Sequence, residues 1–210
     1  MSYNATGNSA SRRIATLLDE GSFVEIGGAV TARSTDFNLQ EKETPSDGVI
    51  TGYGVIDGNL VYVYSQDASV LGGAVGEMHA KKITRIYEMA MKMGAPVIGF
   101  IDCAGLRLQE GTDALEAFGS LYRTQAMASG VIPQITAVFG ACGGGLSLIP
   151  ALTDLHSWRS RERSSSILPM PSPETGWRNA TLLPPGSRAR TPALWTVWGQ
   201  KKRSLQRSAR

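Results

Sequence analysis

Two glycine-rich segments carry the residue types and spacing that favour chemistry. The first reads CAGLRLQEG from Cys103, and the second reads ACGGGLSLIPALTD from Ala141. Each follows an apolar strand pattern and precedes a helical one, so free main-chain N–H groups should point outward at the positive end of a helix. Glycines without Cβ atoms, as at Gly143, Gly144 and Gly145, would let a ligand approach these donors closely. The pattern allows an oxyanion hole, but close packing of helix on sheet is the more ordinary interpretation of a glycine cluster after a strand.

Side chains near these segments give weaker signals. His79 has no Cys or acidic cluster at metal-ligand spacing, so we expect a surface or supporting position and no metal site. Cys103 and Cys142 are explained by small buried side chains as well as by a nucleophile. Glu110 could act as a base, but an exposed acid in the first turn of a helix is the more ordinary interpretation. The sequence shows no Ser-His-Asp set and no GxxxxGK[ST] loop, which removes the usual ATP site.

The elements that must position the two turns begin with a helix and a hairpin. SRRIATLLDEGSFVEIG predicts a short amphipathic helix with Ile14, Leu17 and Leu18 on one face, followed by a strand. VITGYGVIDGNLVYVYSQD alternates apolar and polar residues on both sides of Asp57-Gly58. Because that dipeptide favours the positive φ angles of a tight turn, it predicts a hairpin.

From Gly76 onward, helical and strand patterns alternate. The first helical pattern, which stops at Gly94, carries four apolar residues at helical spacing: Ile83, Ile86, Tyr87 and Ala90. PVIGFID then predicts a buried strand that runs into the first glycine turn. A second helical pattern has Leu115, Phe118 and Tyr122 on one face, and VIPQITAVFG predicts a strand that runs into the second turn. This alternation is typical of an α/β fold with parallel strands.

The composition is that of a globular protein. The chain has 210 residues, of which 42% are hydrophobic and 19% charged, enough for one domain or slightly more. It has no apolar run of the roughly 18 residues that cross a membrane, and the opening MSYNATGNSASRR lacks the apolar stretch of a signal peptide. Two cysteines do not make a disulfide framework. We therefore expect a cytoplasmic protein.

The distribution of charge divides the chain near Leu155. Residues 1–155 contain 10 Lys and Arg against 16 Asp and Glu, whereas residues 156–210 contain 11 against 2. All four tryptophans and six of the ten prolines also lie in the second segment. We therefore divide the chain into a polar leader (1–11), a domain (12–155) and a basic tail (156–210).

The domain resembles the N-terminal half of a biotin-dependent acyl-CoA carboxyltransferase. Three stretches carry the resemblance over about residues 12–154: SDGVITGYGVIDGNLVYVYSQDASVLGGAVGEMHAKKI, GAPVIGFIDCAGLRLQEG and ASGVIPQITAVFGACGGGLSLIPALTD. The resemblance implies a crotonase-like α/β fold, a superhelix of β-sheet turns with flanking helices, here truncated. In this family the N-terminal half binds the acyl-CoA.

The resemblance also implies roles for the two turns. Their main-chain N–H groups would face an enolate or carbonyl oxygen of a CoA thioester. The catalytic positions would be Gly105, Leu106, Gly144 and Gly145. The positions that line the bound thioester would be Ala104 and Gly143. In the family, biotin on a separate carrier protein or domain brings the carboxyl group and removes the acyl α-proton, so no protein nucleophile is required.

The implied partners are an acyl-CoA and a biotin carboxyl carrier protein, with a homo-oligomeric assembly and no nucleic acid. A membrane decarboxylase complex is compatible with the resemblance although no span is expected. The first turn departs from the family's common SGGARIQEG, because Ala104 replaces a glycine and Leu106 an alanine. Leu106 would narrow the acyl pocket. No four-cysteine zinc ribbon precedes the domain, which favours the propionyl- or methylmalonyl-CoA branch of the family.

The resemblance ends after PALTD, where the family continues through another core strand. The tail shows no sustained period of 2 or 3.6, and its prolines interrupt any helix or central strand, so we do not expect it to add to the core. A basic nucleic-acid-binding arm, an inert tail and a shifted reading frame are the three interpretations. We favour the shifted frame, because permitted codons turn residues 168–181 into PNALTGNRVEKCD, which resembles the family's continuation.

These features limit the expected function. In the family, the active site lies between this half of one subunit and the C-terminal half of another, which receives biotin. We therefore expect a truncated chain that at most binds acyl-CoA and is inactive alone. Two alternatives stay open: a crotonase-type CoA-thioester hydratase or isomerase with Glu110 as its base, and a non-enzymatic fragment with a nucleic-acid-binding tail.

Overall fold

The computed structural model describes residues 9–33 and 42–158, and beyond them the backbone of residues 164–165, 171–172 and 176–177. The interpretations of the tail therefore fall almost wholly outside the described residues. The helices are α1 (Ser9–Leu17), α2 (Glu77–Met93), α3 (Gly111–Ala128) and α4 (Leu148–Leu152), with short 3-10 helices at Pro45–Gly48, Leu71–Gly73, Leu108–Glu110 and Gly144–Ser147. One sheet contains β1 (Val24–Glu25), β2 (Val49–Ile56), β3 (Asn59–Gln66), β4 (Val97–Cys103), β5 (Gln134–Gly143), β6 (Leu155–Trp158) and β7 (Ser164–Ser165). A separate antiparallel pair consists of β8 (Pro171–Ser172) and β9 (Gly176–Trp177).

The predicted hairpin is confirmed. Strands β2 and β3 pair antiparallel along their full length, from Val49 opposite Gln66 to Ile56 opposite Asn59. At the turn, Asp57 and Gly58 have φ angles of 49° and 80°. Such positive values match the right-handed twist of the two strands, which explains why this dipeptide sits at the turn.

The predicted parallel α/β arrangement is confirmed for the rest of the sheet. The strand order follows the chain from β1 to β6, and β3, β4, β5 and β6 pair parallel to one another. Helix α2 connects β3 to β4, α3 connects β4 to β5, and α4 connects β5 to β6. The glycine turns thus follow two neighbouring inner strands, and both leave the same edge of the sheet.

Two buried clusters cover opposite faces of this sheet. Alternate residues of β3 divide between them: Tyr62 and Tyr64 pack with α2 and α3, whereas Val61 and Val63 pack with α1. The alternation of residues that predicted this strand therefore also determines which of the two clusters each side chain joins. Ile14 of α1 is fully buried in the second cluster, as its helical spacing predicts.

The predicted apolar face of α3 is partly wrong. Phe118 is buried, but Leu115 is 64% exposed. The buried face instead carries mainly small residues, which allow α2 to pack closely: Ala114, Ala117, Phe118, Leu121, Thr124, Gln125 and Ala128. The spacing of Leu115, Phe118 and Tyr122 was therefore a poor guide to the buried side of this helix.

Two boundaries also differ from prediction. Helix α1 begins at Ser9, inside the segment assigned to the polar leader. Strand β6 reaches Trp158 and pairs parallel with β5, from Leu155 opposite Ile135, so the first residues of the predicted tail belong to the sheet. Among the described residues, no helix is long and apolar enough to cross a membrane.

Candidate functional site

The two glycine turns lie side by side at the carboxyl ends of β4 and β5. Cys103 and Cys142 are register partners on these parallel strands. A Cβ atom on Gly105 would lie 3.1 Å from the carbonyl oxygen of Gly143, and a Cβ atom on Gly143 would lie 2.2 Å from the carbonyl oxygen of Ala104. The turns are therefore in direct backbone contact, and position 143 requires glycine.

Two of the expected donors in the first turn already have acceptors within the protein. The N–H of Ala104 donates to the carbonyl of Gly72 at 3.0 Å, and the N–H of Gly105 donates to Cys103 Sγ at 3.3 Å. These two N–H groups are therefore engaged within the protein, and the roles expected of Ala104 and Gly105 toward a ligand stay predictions. The turn also leads into the 3-10 helix Leu108–Glu110 before α3 begins, rather than directly into α3.

The N–H of Leu106 has no acceptor among the described residues. Leu106 forms a short parallel bridge with Val75, in which Val75 donates to the carbonyl of Gly105 at 2.8 Å and accepts from the N–H of Arg107 at 2.9 Å. In such a bridge the N–H of the middle residue points to the opposite side. Leu106 is thus the donor that the first turn offers, while its half-buried side chain packs against the core.

The second turn offers the N–H of Gly145, which has no acceptor in the described part of the chain. Gly144 has a φ angle of 57°, and its carbonyl accepts a hydrogen bond from Ser147 Oγ at 2.8 Å. The hydroxyl of Tyr122 on α3 donates to the carbonyl of Gly145 at 2.5 Å. Burial raises the pKa of Tyr122 to about 12, so this hydroxyl keeps its proton.

A buried ion-pair cluster holds the first turn. Arg107 Nη1 lies 2.6 Å from Asp47 Oδ1 and 2.8 Å from Glu110 Oε1, and these three side chains are at most 2% exposed. Arg107 Nη2 donates to the carbonyl of Ala74 at 2.9 Å. The second oxygen of Glu110 accepts from the N–H of Glu77, the first residue of α2, at 2.6 Å. The cluster therefore fixes the turn against the beginning of α2.

This burial corrects the expectation for Glu110 and excludes a surface position for His79, which leaves the supporting position that was also expected. Glu110 is not an exposed acid, because both of its carboxylate oxygens are engaged inside the protein. His79 is not on the surface either, since it is 0% exposed. Neither side chain is placed to exchange a proton with a ligand at the turns.

The hydrogen bonds of His79 determine its tautomer. Gln66 Oε1 accepts from the N–H of Asp102 at 3.2 Å, so Gln66 Nε2 is the donor toward His79 Nε2, 3.1 Å away. The ring proton then lies on Nδ1, 2.9 Å from the carbonyl of Asp47. Burial, together with the charge of Arg107, lowers the pKa of His79 to about 3. The imidazole is therefore neutral and serves to connect three segments.

The two cysteines are buried, at 0% and 1% exposure. Burial raises the pKa of Cys103 and of Cys142 to about 12, so neither is a thiolate at neutral pH. Of the two interpretations left open by the sequence, the structure supports small buried side chains. No three His, Cys, Asp or Glu side chains in the described ranges come together as a metal site.

Sequence reasoning missed Asp47, Gln66 and Arg107. Arg107 and Glu110 stand three residues apart in CAGLRLQEG, a spacing that pairs opposite charges on a helical turn, and this was the available signal. Asp47 precedes Arg107 by 60 residues, so no local pattern connects them.

Comparisons with known proteins agree on one family. The model of the family described as "Carboxyl transferase domain" matches residues 3–165. A propionyl-CoA carboxylase beta chain of Roseobacter denitrificans is 53% identical over 145 residues, which are 69% of this chain and 28% of that protein. The methylmalonyl-CoA decarboxylase subunit alpha of Propionigenium modestum is 49% identical over 152 residues, 72% of this chain and 29% of that protein.

Solved structures are similar as well. Transcarboxylase 12S with hydrolysed methylmalonyl-CoA bound has a TM-score of 0.75 and 39% identity, over 76% of this chain and 32% of that chain. A single-chain, multi-domain long-chain acyl-CoA carboxylase has a TM-score of 0.68 and 26% identity, over 76% and 17%. The expected crotonase-like α/β fold is thereby confirmed. The chain spans about three tenths of the length of the curated relatives that it matches. With its two contacting glycine turns, it belongs to the carboxyl transferase domain family.

Proposed function

We propose that this chain forms the acyl-CoA-binding part of a biotin-dependent carboxyltransferase that acts on a short acyl-CoA of the propionyl or methylmalonyl type. The observation that carries the proposal is that two turns in backbone contact present main-chain N–H groups, those of Leu106 and Gly145, that have no acceptor among the described residues. The names of the relatives and the methylmalonyl-CoA of the transcarboxylase structure support the substrate class.

The residues fit a reaction through a thioester enolate. Removal of the α-proton places negative charge on the thioester oxygen, and the N–H groups of Leu106 and Gly145 would donate to that oxygen. One such fixed donor contributes roughly 3 to 4 kcal/mol to the stability of a transition state. Biotin, when bound, supplies the carboxyl group and the base. Glu110, His79 and both cysteines are buried, so the described residues provide placement and charge stabilisation rather than a nucleophile.

We propose that this chain binds the thioester. Carboxyl transfer belongs to a protein that contains, besides this part, the rest of the length of the relatives. A biotin carboxyl carrier protein, a homo-oligomer and a cytoplasmic location belong to the same proposal. Transcarboxylase 12S assembles as a hexamer, and a similar assembly would place a second copy against the turns.

Calorimetric titration of the purified chain tests this proposal. The ligands are propionyl-CoA, free CoA and S-propyl-CoA, the thioether in which a methylene replaces the carbonyl. We expect propionyl-CoA to bind more tightly than S-propyl-CoA, because only the thioester has an oxygen for the two donors. The proposal fails if propionyl-CoA does not bind, or if the thioether binds equally well.

The alternative of a hydratase or isomerase is not favoured. It requires a carboxylate base at the turns, and the side chain of Glu110 is only 2% exposed and paired with Arg107. The nucleic-acid-binding alternative depends on residues outside those that the structure describes.

A further inference from the structure

Ser147 lies two residues after Gly145, the donor that the second glycine turn offers. It is 5% exposed, and its hydroxyl donates to the carbonyl oxygen of Gly144 at 2.8 Å. That carbonyl belongs to the same peptide group as the N–H of Gly145. We infer that Ser147 is a positioning residue, which orients and polarises the Gly145 N–H toward the thioester oxygen. The inference rests on the proposed function and adds a residue to it.

The planarity of the peptide group makes this connection direct. Carbonyl and N–H lie in one plane and point in opposite directions, so a bond that fixes the carbonyl of Gly144 also fixes the direction of the Gly145 N–H. A hydrogen bond to the oxygen also draws electron density from the group, which makes its N–H a stronger donor. Since Ser147 is buried, water competes little for this bond.

The peptide between Gly144 and Gly145 joins two residues without side chains. Gly144 has a φ angle of 57°, and a Cβ atom added there would meet nothing within 4 Å. In the 3-10 helix Gly144–Ser147, the carbonyl of Gly144 is the acceptor for the main-chain N–H of Ser147. The hydroxyl of Ser147 adds a side-chain hydrogen bond to the same carbonyl and so strengthens its restraint.

In the first turn, a main-chain hydrogen bond holds the equivalent carbonyl. The N–H of Leu106 belongs to the peptide whose carbonyl, that of Gly105, accepts from the N–H of Val75 at 2.8 Å. Both donors thus have their own carbonyl held from the protein side. The carbonyl behind Leu106 is held only by main-chain atoms, whereas the carbonyl behind Gly145 has a side-chain hydrogen bond that substitution of Ser147 can remove.

The test compares Ser147→Ala with Ser147→Thr, which keeps the hydroxyl. The chain binds propionyl-CoA labelled with 13C at the carbonyl, and isotope-edited infrared spectra report the stretch of that carbonyl. In Ser147→Ala we expect the stretch to move toward its value in free propionyl-CoA and the affinity for propionyl-CoA to fall about threefold to tenfold. Affinity for S-propyl-CoA should stay within about twofold, and Ser147→Thr should resemble the unsubstituted chain.

The outcomes separate the two proposals. If Ser147→Ala weakens both ligands equally and leaves the carbonyl stretch in place, Ser147 supports only the local fold and the inference is overturned. If the unsubstituted chain binds neither ligand, the proposed function fails. In that case, amide NMR of the ligand-free chain tests the inference by itself. Ser147→Ala should move the amide proton signal of Gly145 upfield and leave that of Leu106 unchanged. An unmoved Gly145 signal contradicts the inference.

Discussion

The carboxylate of Glu110 accepts a hydrogen bond from the main-chain N–H of Glu77 at 2.6 Å. Glu77 is the first residue of α2, so Glu110 supplies an acceptor to an N–H that has none within the helix. The other oxygen of Glu110 pairs with Arg107, which directly follows Leu106, the proposed donor of the first turn. One buried carboxylate thereby ties the start of a helix to the candidate site.

Substitution Glu110→Gln should lower the free energy of unfolding by about 1 to 3 kcal/mol, because a neutral amide has one acceptor oxygen for the two buried donors that Glu110 serves, Arg107 and the N–H of Glu77. Glu88→Gln is the matched control: Glu88 pairs with Arg85 at 3.4 Å on the surface, with a 48% exposed side chain. The control should change stability by less than about 1 kcal/mol. Urea unfolding of the two variants measures both values. Equal urea midpoints for Glu110→Gln and Glu88→Gln would show that the interactions of Glu110 add no stability.

Substitution Gly143→Ala should separate the two turns. Its Cβ atom would lie 2.2 Å from a main-chain oxygen, so the backbone must move, and we expect a loss of about 1 to 3 kcal/mol in stability together with loss of propionyl-CoA binding. Gly119 in α3 has nothing within 4 Å of an added Cβ atom, and Gly119→Ala should stabilise the helix by about 0.5 to 1 kcal/mol. Thermal unfolding and calorimetry are the measurements. Normal propionyl-CoA affinity in Gly143→Ala would contradict the contact.

The stability of the chain should depend on pH through His79. The pKa of His79 is about 3 in the folded protein and about 6.5 in the unfolded chain, because burial and Arg107 disfavour its charged form. Between these values the unfolded chain binds an extra proton, so the contribution of His79 is complete above pH 6.5 and is lost as pH falls toward 3. The slope approaches about 1.4 kcal/mol per pH unit. Urea unfolding between pH 7 and 4 should give a smaller slope for His79→Gln, and parallel curves would contradict a neutral buried ring.

The two cysteine thiols should be unreactive in the folded chain. Both are buried, and the pKa of each is raised to about 12, so thiolate is scarce at pH 8. Titration with a chromogenic disulfide should detect no rapid reaction in buffer and two thiols in 6 M urea. Rapid reaction of one thiol in buffer would show that a turn opens.

The fold was predictable wherever local chemistry decides it. The preference of Asp57-Gly58 for positive φ angles determines the hairpin turn. The alternation of residues in β3 determines which of its side chains face α1. The face of α3 was less predictable, because Leu115 is exposed while alanines face α2. Close helix packing selects small residues, and a count of large apolar side chains does not detect that preference.

The candidate site was predictable as two segments but not as individual donors. Glycine content located both turns. It did not show that the N–H of Ala104 donates to the carbonyl of Gly72, while that of Leu106 has no acceptor in the described ranges. That difference depends on a bridge to Val75, thirty-one residues earlier in the chain. The ion pair between Arg107 and Asp47 depends on a still longer separation.

The parallel pairing of β4 with β5 has a consequence for the order of folding. The hairpin of β2 and β3 closes through two residues, whereas β4 and β5 can pair only after the intervening chain, including α3, has been brought back across the sheet. Closing a longer loop costs more entropy and slows the contact. We therefore expect the hairpin to form before Gly105 and Gly143 meet, and a chain with only the hairpin and α1 in place would lack the paired donors.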